Sequence, residues 1–222
     1  SSTSRGLGDV YKRQLFMSGQ SLATFRLLQD YNFFAHMVPQ SAECLGQSDF
    51  SERLIDQAFT NTDLRVRAHK RITPAFIYAA LLWPAVQQRA LVYREQGEPP
   101  LSAQRHAAEN VIAFQVRLTA IPKRYSIPMR EIWDMQLSLT RRTGGRAERL
   151  VNHPRFRAAY DFVLLREEAG EDLNSLGEWW TRYQNSNELE RQNMVSAIKE
   201  PRSSRTRRRR PRARKPDTKS VE

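Results

Sequence analysis

Through most of this chain apolar residues recur three and four positions apart, the period of helices that bury one face. SERLIDQAF places Leu54, Ile55, Ala58 and Phe59 on one side of a helix, with Ser51 as its expected N-cap. TPAFIYAALLW follows with Thr73 as cap and Pro74 at the first helical position, where the missing N–H costs nothing. That run is apolar nearly all round, so it belongs inside a core. Pro84 interrupts or kinks it, and the amphipathic VQQRALVYREQ continues as far as Glu98, Pro99 and Pro100. In LSAQRHAAENVIAFQVRLTAIP, Ser102 reads as a cap, and Ala107, Val111, Phe114 and Leu118 form the inward row. Pro122 and Pro128 bracket an expected loop, KRYSI, before Ile132, Met135 and Leu139 resume the pattern and Gly144 and Gly145 stop it. Pro154 opens a further helix with Phe156, Tyr160, Val163 and Leu164 inward, and LNSLGEWWTRY makes a short one ending in aromatics. Alternating, turn-bounded runs of the strand type are missing. The expected fold is all-α, an irregular multi-helix body.

Charge changes the picture at the two ends. The chain of 222 residues carries a formal charge of +12, but from Pro201 onward eight Arg and two Lys face only Asp217 and Glu222. The body between residues 15 and 200 is close to neutral, so the basicity belongs to the C-terminal segment. RTRRRRPRARK, at 205–215, has no apolar side chain except Ala213, and Pro211 and the like charges oppose folding, so residues 201–222 are expected to form a disordered basic tail. At the other end, DVYKRQ at 9–14 back-translates to GAT GTG TAT AAG AGA CAG, a string like the mosaic end that a transposase joins to DNA in library preparation. Residues 1–14 are therefore read as an adapter-derived leader, with the native sequence entered in mid-protein at Leu15. A genuine flexible N-terminus is the alternative. No run approaches the roughly 18 apolar residues of a membrane span, and the single Cys44 can build no disulfide framework. A cytoplasmic protein without a membrane partner is expected.

Catalytic constellations are not apparent. His36, His69, His106 and His153 lack partners at metal-ligand spacing, and there is no Gly-rich phosphate loop, nucleophile elbow or two-metal Asp-x-Asp motif. No catalytic residue and no metal site is assigned. Asp161, Glu167 and Glu168 alternate with Arg155, Arg157 and Arg166, which reads as a solvated, salt-bridged helix face. The cationic groups are better candidates, because guanidinium suits both phosphate oxygens and exposed base faces. In the tail these are Arg205, Arg207, Arg208, Arg209, Arg210, Arg212, Arg214 and Lys215. In the body, Arg65 and Arg67 lie near Lys70 and Arg71, Lys123 and Arg124 sit between prolines, and Arg141, Arg142 and Arg146 surround the double glycine. Helix C-termini attract cations through the backbone dipole alone, so each body cluster has a structural explanation beside the RNA one. Trp179 and Trp180 could stack on bases, or serve as core.

NTDLRVRAHKRITPAFIYAALLW, AIPKRYSIPMREIW, RRTGGRAERLVNHPRFRAAYDFVLLR, EWW and the arginine-rich end, in that order, resemble the C-terminal half of the bacterial poly(A) polymerase I family. LFMSGQSLATFRLLQDYNFFAHMVP resembles the segment after that family's neck. The resemblance implies a template-independent nucleotidyltransferase that adds AMP from ATP to RNA 3′ ends and so promotes RNA processing and decay. It implies ATP and Mg²⁺ for the full-length family, with the carboxylates that hold the ions in an N-terminal head that no position here matches. This chain is then expected to be an RNA-binding fragment, needing no cofactor and inactive alone, whose partners are single-stranded RNA 3′ ends, read with weak sequence preference, and RNA-decay proteins. A stand-alone helical RNA-binding or adaptor protein remains the alternative, and a tRNA nucleotidyltransferase fragment is a more distant one. Loss of the head would leave its docking surface open, with Phe25, Phe33 and Phe34 as candidates for that patch.

Overall fold

The computed structural model describes residues 18–119 and 121–198. Both the leader at 1–14 and the tail at 201–222 lie outside the described residues. Within them the chain forms eleven helices and no strand. In order these are α1 (Ser21–Asp30), α2 (Phe33–Met37), α3 (Pro39–Leu45), α4 (Asp49–Arg67), α5 (Pro74–Glu95), α6 (Pro100–Leu118), α7 (Lys123–Leu139), α8 (Arg146–Val151), α9 (Phe156–Glu168), α10 (Leu176–Asn185) and α11 (Glu188–Ser196).

The all-apolar segment is the centre of the fold. Thr73 is its N-cap residue and Pro74 its first helical residue, and the helix runs through Pro84 without breaking. Packing explains this tolerance: every residue from Ala79 to Val86 is buried, and α3, α4, α6, α7 and α9 surround the helix. A helical stretch buried on every side cannot be peeled away by the loss of one backbone hydrogen bond. The Trp133 indole on α7 donates to the Ala79 carbonyl at 3.2 Å, fixing α7 across it.

Two apolar clusters result. One gathers α1 to α6 with Met129, Ile132 and Trp133 of α7 and Phe162 and Leu165 of α9. The other joins Met135 and Leu139 of α7 to Phe156, Tyr160 and Val163 of α9 and to Leu176, Trp180 and Tyr183 of α10. Helices α7 and α9 therefore serve both clusters, and α9 does so by burying Phe162 and Leu165 beyond the expected row, in which Leu164 is only half-buried. Between the clusters lies Arg166, only 7% exposed. The expected solvated face does not extend to it. Its guanidinium donates to both carboxylate oxygens of Glu171 at 2.7 and 2.8 Å and to Gln136 Oε1 at 3.0 Å, and it lies 5.2 Å from the Trp83 ring centre.

Several local expectations are corrected. Ser51 is not a cap: α4 begins at Asp49 behind Ser48, with Asp49 and Glu52 in the first turn and Arg65 and Arg67 in the last, the charge order that the backbone dipole favours. Ser102 likewise falls inside the first turn of α6, which begins at Pro100. The stretch between Pro122 and Pro128 is not a loop but the start of α7, because Tyr125, Met129, Ile132 and Trp133 gain burial only if the helical period runs through Pro128. Phe114 and Leu118 face solvent. The inward row of α6 instead turns through Ile112 to Gln115, whose side-chain N–H donates to the Met37 carbonyl at 2.6 Å. Phe25 and Phe34 are core, packed edge to face with ring centres 4.9 Å apart, and only Phe33 remains exposed.

The start of α1 is held by a carboxylate from another helix. Asp63 of α4, buried, accepts from the Ser21 amide at 2.7 Å, the Ser21 hydroxyl at 2.7 Å and the Leu22 amide at 3.1 Å. These amides are among those that a helix N-terminus leaves without partners, and a negative charge suits them. Asp63→Ala is expected to cost about 1–3 kcal/mol by stranding buried donors, and amide hydrogen exchange should accelerate first in α1. Unchanged protection there would contradict this anchoring.

Candidate nucleic-acid interface

The candidate cations that fall within the described residues occupy three separate places. At the end of α4, Arg65 donates to Asp161 at 3.3 Å, and Asp161 also receives Arg157 at 3.1 Å. Arg67 donates to the Gly19 carbonyl at 3.4 Å. This pair therefore ties α4 to α9 and to the start of the described chain, and its position at a helix C-terminus is what the dipole favours. Both residues keep a structural role that must be weighed before any RNA contact.

Lys123 and Arg124 differ. They stand in the first turn of α7, exposed, where the positive end of the helix dipole disfavours cations. The electrostatic explanation that serves Arg65 and Arg67 fails here. The Arg124 guanidinium lies 4.8 Å from the Tyr125 ring centre.

Arg141 and Arg142 follow the end of α7, about 25 Å from Lys123 along a helix rising roughly 1.5 Å per residue, so the structure does not join the two groups. It does join Arg141 and Arg142 to the double glycine. Gly144 has φ +58°, a left-handed conformation that glycine adopts without strain, and neither Gly144 nor Gly145 has a neighbour that a β-carbon would meet. Beside them is an open hollow of about 440 Å³ lined by Thr143, Gly144, Gly145, Arg146 and Arg149. Arg149 was not singled out by the sequence; its only signal is the three-residue spacing from Arg146.

A larger cleft of about 900 Å³ adjoins the hollow through Gly144 and Gly145 and is walled by Glu148, Tyr183, Glu188 and Arg191. Two of its lining residues, Tyr183 and Arg191, belong to a ladder of cations and rings that runs back to Trp179 and Arg142. Arg142 lies 4.8 Å from the Trp179 ring centre, Trp179 stacks on Tyr183 at 4.9 Å, and Arg191 lies 5.1 Å from the Tyr183 ring centre. Arg142 is half-buried, and burial lowers its pKa. Hydrogen bonds from the Asn152 amide and the Tyr183 hydroxyl, with Arg191 close by, hold the Glu148 carboxyl below its usual range. Burial, aided by Glu148, raises the Tyr183 phenol. The two tryptophans part company here. Trp180 is core, donating to the Leu139 carbonyl at 3.1 Å, while half-buried Trp179 is engaged by Arg142 and Tyr183.

Three acidic side chains in this half of the molecule are already engaged. Glu148 accepts from Tyr183 at 3.0 Å, Glu167 from the Gly177 amide at 3.1 Å and Glu168 from Asn61 at 2.8 Å. Among the described residues no group of three or more His, Cys, Asp or Glu is placed to hold a metal ion. No described helix is long and apolar enough to cross a membrane. Arg205 to Lys215, the densest candidates, lie outside the described residues.

A family model described as the polymerase A arginine-rich C-terminus matches residues 96–215, a span that takes in the α7 start, the double-glycine cations and the arginine block. The chain is 36% identical over 208 residues to Poly(A) polymerase I of Escherichia coli O6:H1, an alignment covering 91% of this chain and 45% of that protein. It is 35% identical to Poly(A) polymerase I of Salmonella typhi over 91% of this chain and 45% of that protein. It is 34% identical to that of Haemophilus influenzae over 82% and 41% respectively. The chain thus spans less than half the length of these curated relatives, matching their C-terminal part. With more than half of its residues inside the family match, the chain belongs to the polymerase A arginine-rich C-terminus family.

Proposed function

We propose that residues 15–200 and 201–222 together form the RNA-holding part of an enzyme that adds AMP from ATP to RNA 3′ ends in the bacterial cytoplasm, marking transcripts for processing and decay. The observation that carries this reading is the continuous family match through residues 96–215, which links the exposed body cations to the arginine block in one unit. Arg205, Arg207 to Arg210, Arg212, Arg214 and Lys215 supply most of the phosphate contacts. Lys123, Arg124, Arg141 and Arg142 add contacts on the body, while Arg65 and Arg67 contribute only as far as their ties to Asp161 and Gly19 allow. RNA-decay proteins are the natural protein partners of such a unit.

ATP and Mg²⁺ belong, on this reading, to the part of the relatives that the chain does not match. The described residues do not fit a pair of Mg²⁺ ions, since Glu148, Asp161, Glu167 and Glu168 are each taken up by an arginine, an amide or a hydroxyl. No step of nucleotide addition is therefore assigned to them.

Titrating fluorescent oligoadenylate with the purified chain tests the reading. Saturable binding that weakens as salt rises is expected, and the same mixture given ATP and Mg²⁺ should leave the oligomer unextended. Failure to bind contradicts the RNA-holding role; extension contradicts the placement of the chemistry elsewhere.

A further inference from the structure

From Asn110 to Arg130 the chain carries four cations, Arg117, Lys123, Arg124 and Arg130, and not one acidic residue. In the fold this stretch is the second half of α6, a short connection and the first half of α7. It also exposes large apolar side chains: Phe114 is 43% exposed, Leu118 49% and Ile127 62%. Single exposed apolar residues are ordinary on a protein surface. Here they are ordered. Phe114, Arg117 and Leu118 stand at i, i+3 and i+4 on α6, and Lys123, Ile127 and Arg130 at i, i+4 and i+7 on α7, all exposed. Each helix end thus offers one row in which apolar and cationic side chains are neighbours. No ion pair among the described residues engages Arg117, Lys123 or Arg130.

We infer that this corner is a base-contacting surface for single-stranded RNA, with an unpaired base on the Phe114 ring, Leu118 and Ile127 beside it, and Arg117, Lys123 and Arg130 on the flanking phosphates. The acid-free stretch is the electrostatic complement of a polyanion. An exposed ring among cations suits a strand whose bases are unstacked, because base–aromatic stacking and phosphate neutralisation are needed side by side. An acidic protein would satisfy the cations without using the ring. A bilayer would need a continuous apolar face, which the interposed Arg117 and Arg130 deny it. The inference rests on the proposed RNA-holding role and adds base contact to it.

Binding by the full chain to oligoadenylate, and to an oligomer of equal length with abasic sugars, tests this. The unaltered chain should favour the base-bearing oligomer about tenfold, the scale of one base–aromatic stack, and Phe114→Ala should abolish that preference. Since Phe114 is part-exposed, its removal should leave the thermal melt in place. Replacing Arg117, Lys123 and Arg130 with Gln should reduce the log–log salt slope by about 2, at roughly 0.7 per phosphate contact. Equal binding of both oligomers by the unaltered chain, or a preference that survives Phe114→Ala, overturns the inference alone. Phe114-dependent binding to phosphatidylserine vesicles, with no such dependence for oligoadenylate, overturns it in favour of a membrane surface. No binding of any oligomer overturns the RNA-holding role and this inference with it.

Discussion

Arg166→Ala should lower the unfolding free energy by about 3–5 kcal/mol, the usual cost of removing one partner from a buried ion pair. The guanidinium is bidentate on Glu171, bonded to Gln136 and set against Trp83, so its loss strands polar atoms on two elements at once. Gln136 is itself buried and donates to the Ile132 and Ala159 carbonyls at 3.0 and 3.1 Å, which makes Arg166 the centre of a network joining α7 and α9. Because these helices are shared by both apolar clusters, the two should loosen together. Glu171 keeps some access to water, so Arg166→Met combined with Glu171→Gln should recover part of the loss, since both charges are removed together and the methionine restores apolar volume beside Trp83. Urea denaturation measures both. A cost under about 1 kcal/mol for Arg166→Ala would show the network to be superficial.

Arg166 also shows where sequence reading stops. Its charge and its alternation with Asp161 and Glu168 point to solvent, and only the fold reveals that Glu171 and Gln136 converge on it. The helical class, the central Thr73 to Trp83 segment and much of the inward rows of α7 and α9 were legible, because those faces bury large side chains at a helical period; the fully buried Phe162 and Leu165 of α9 lay outside the expected row. The inward face of α6 was misread for a specific reason: Gln115 occupies a core position by bonding to Met37, while Phe114 and Leu118 turn outward. In the sequence Pro128 reads as a boundary, yet burial of Met129, Ile132 and Trp133 outweighs the hydrogen bond it removes. The cationic clusters were visible as composition. What composition could not show is that Arg65 is already paired with an aspartate 96 residues further along, whereas Lys123 and Arg124 sit where no helix dipole recruits them.

Removing residues 201–222 is expected to produce the larger functional effect. The deletion takes away eight Arg and two Lys but none of the described residues, so the helical body and its melt should persist. Single-stranded nucleic acids lose affinity with salt at a log–log slope of roughly 0.7 per phosphate neutralised. If about five of these arginines engage phosphates, truncation should weaken oligoadenylate binding about a thousandfold at ~0.1 M salt. The residual affinity should depend more on the base than the intact chain's does, since contacts to phosphate carry no base information and those at Phe114 would.

The central claim is that this unit holds RNA chiefly through its arginine block, with the body in a secondary role. A salt titration of fluorescent oligoadenylate binding, with intact and truncated chains side by side, tests it most directly. The predicted result is a slope smaller by about 3 to 4 for the truncated chain, with weak binding retained that replacing Lys123, Arg124, Arg141 and Arg142 by Gln then removes. An unchanged slope and unchanged affinity after truncation would contradict it and place the RNA on the helical body alone.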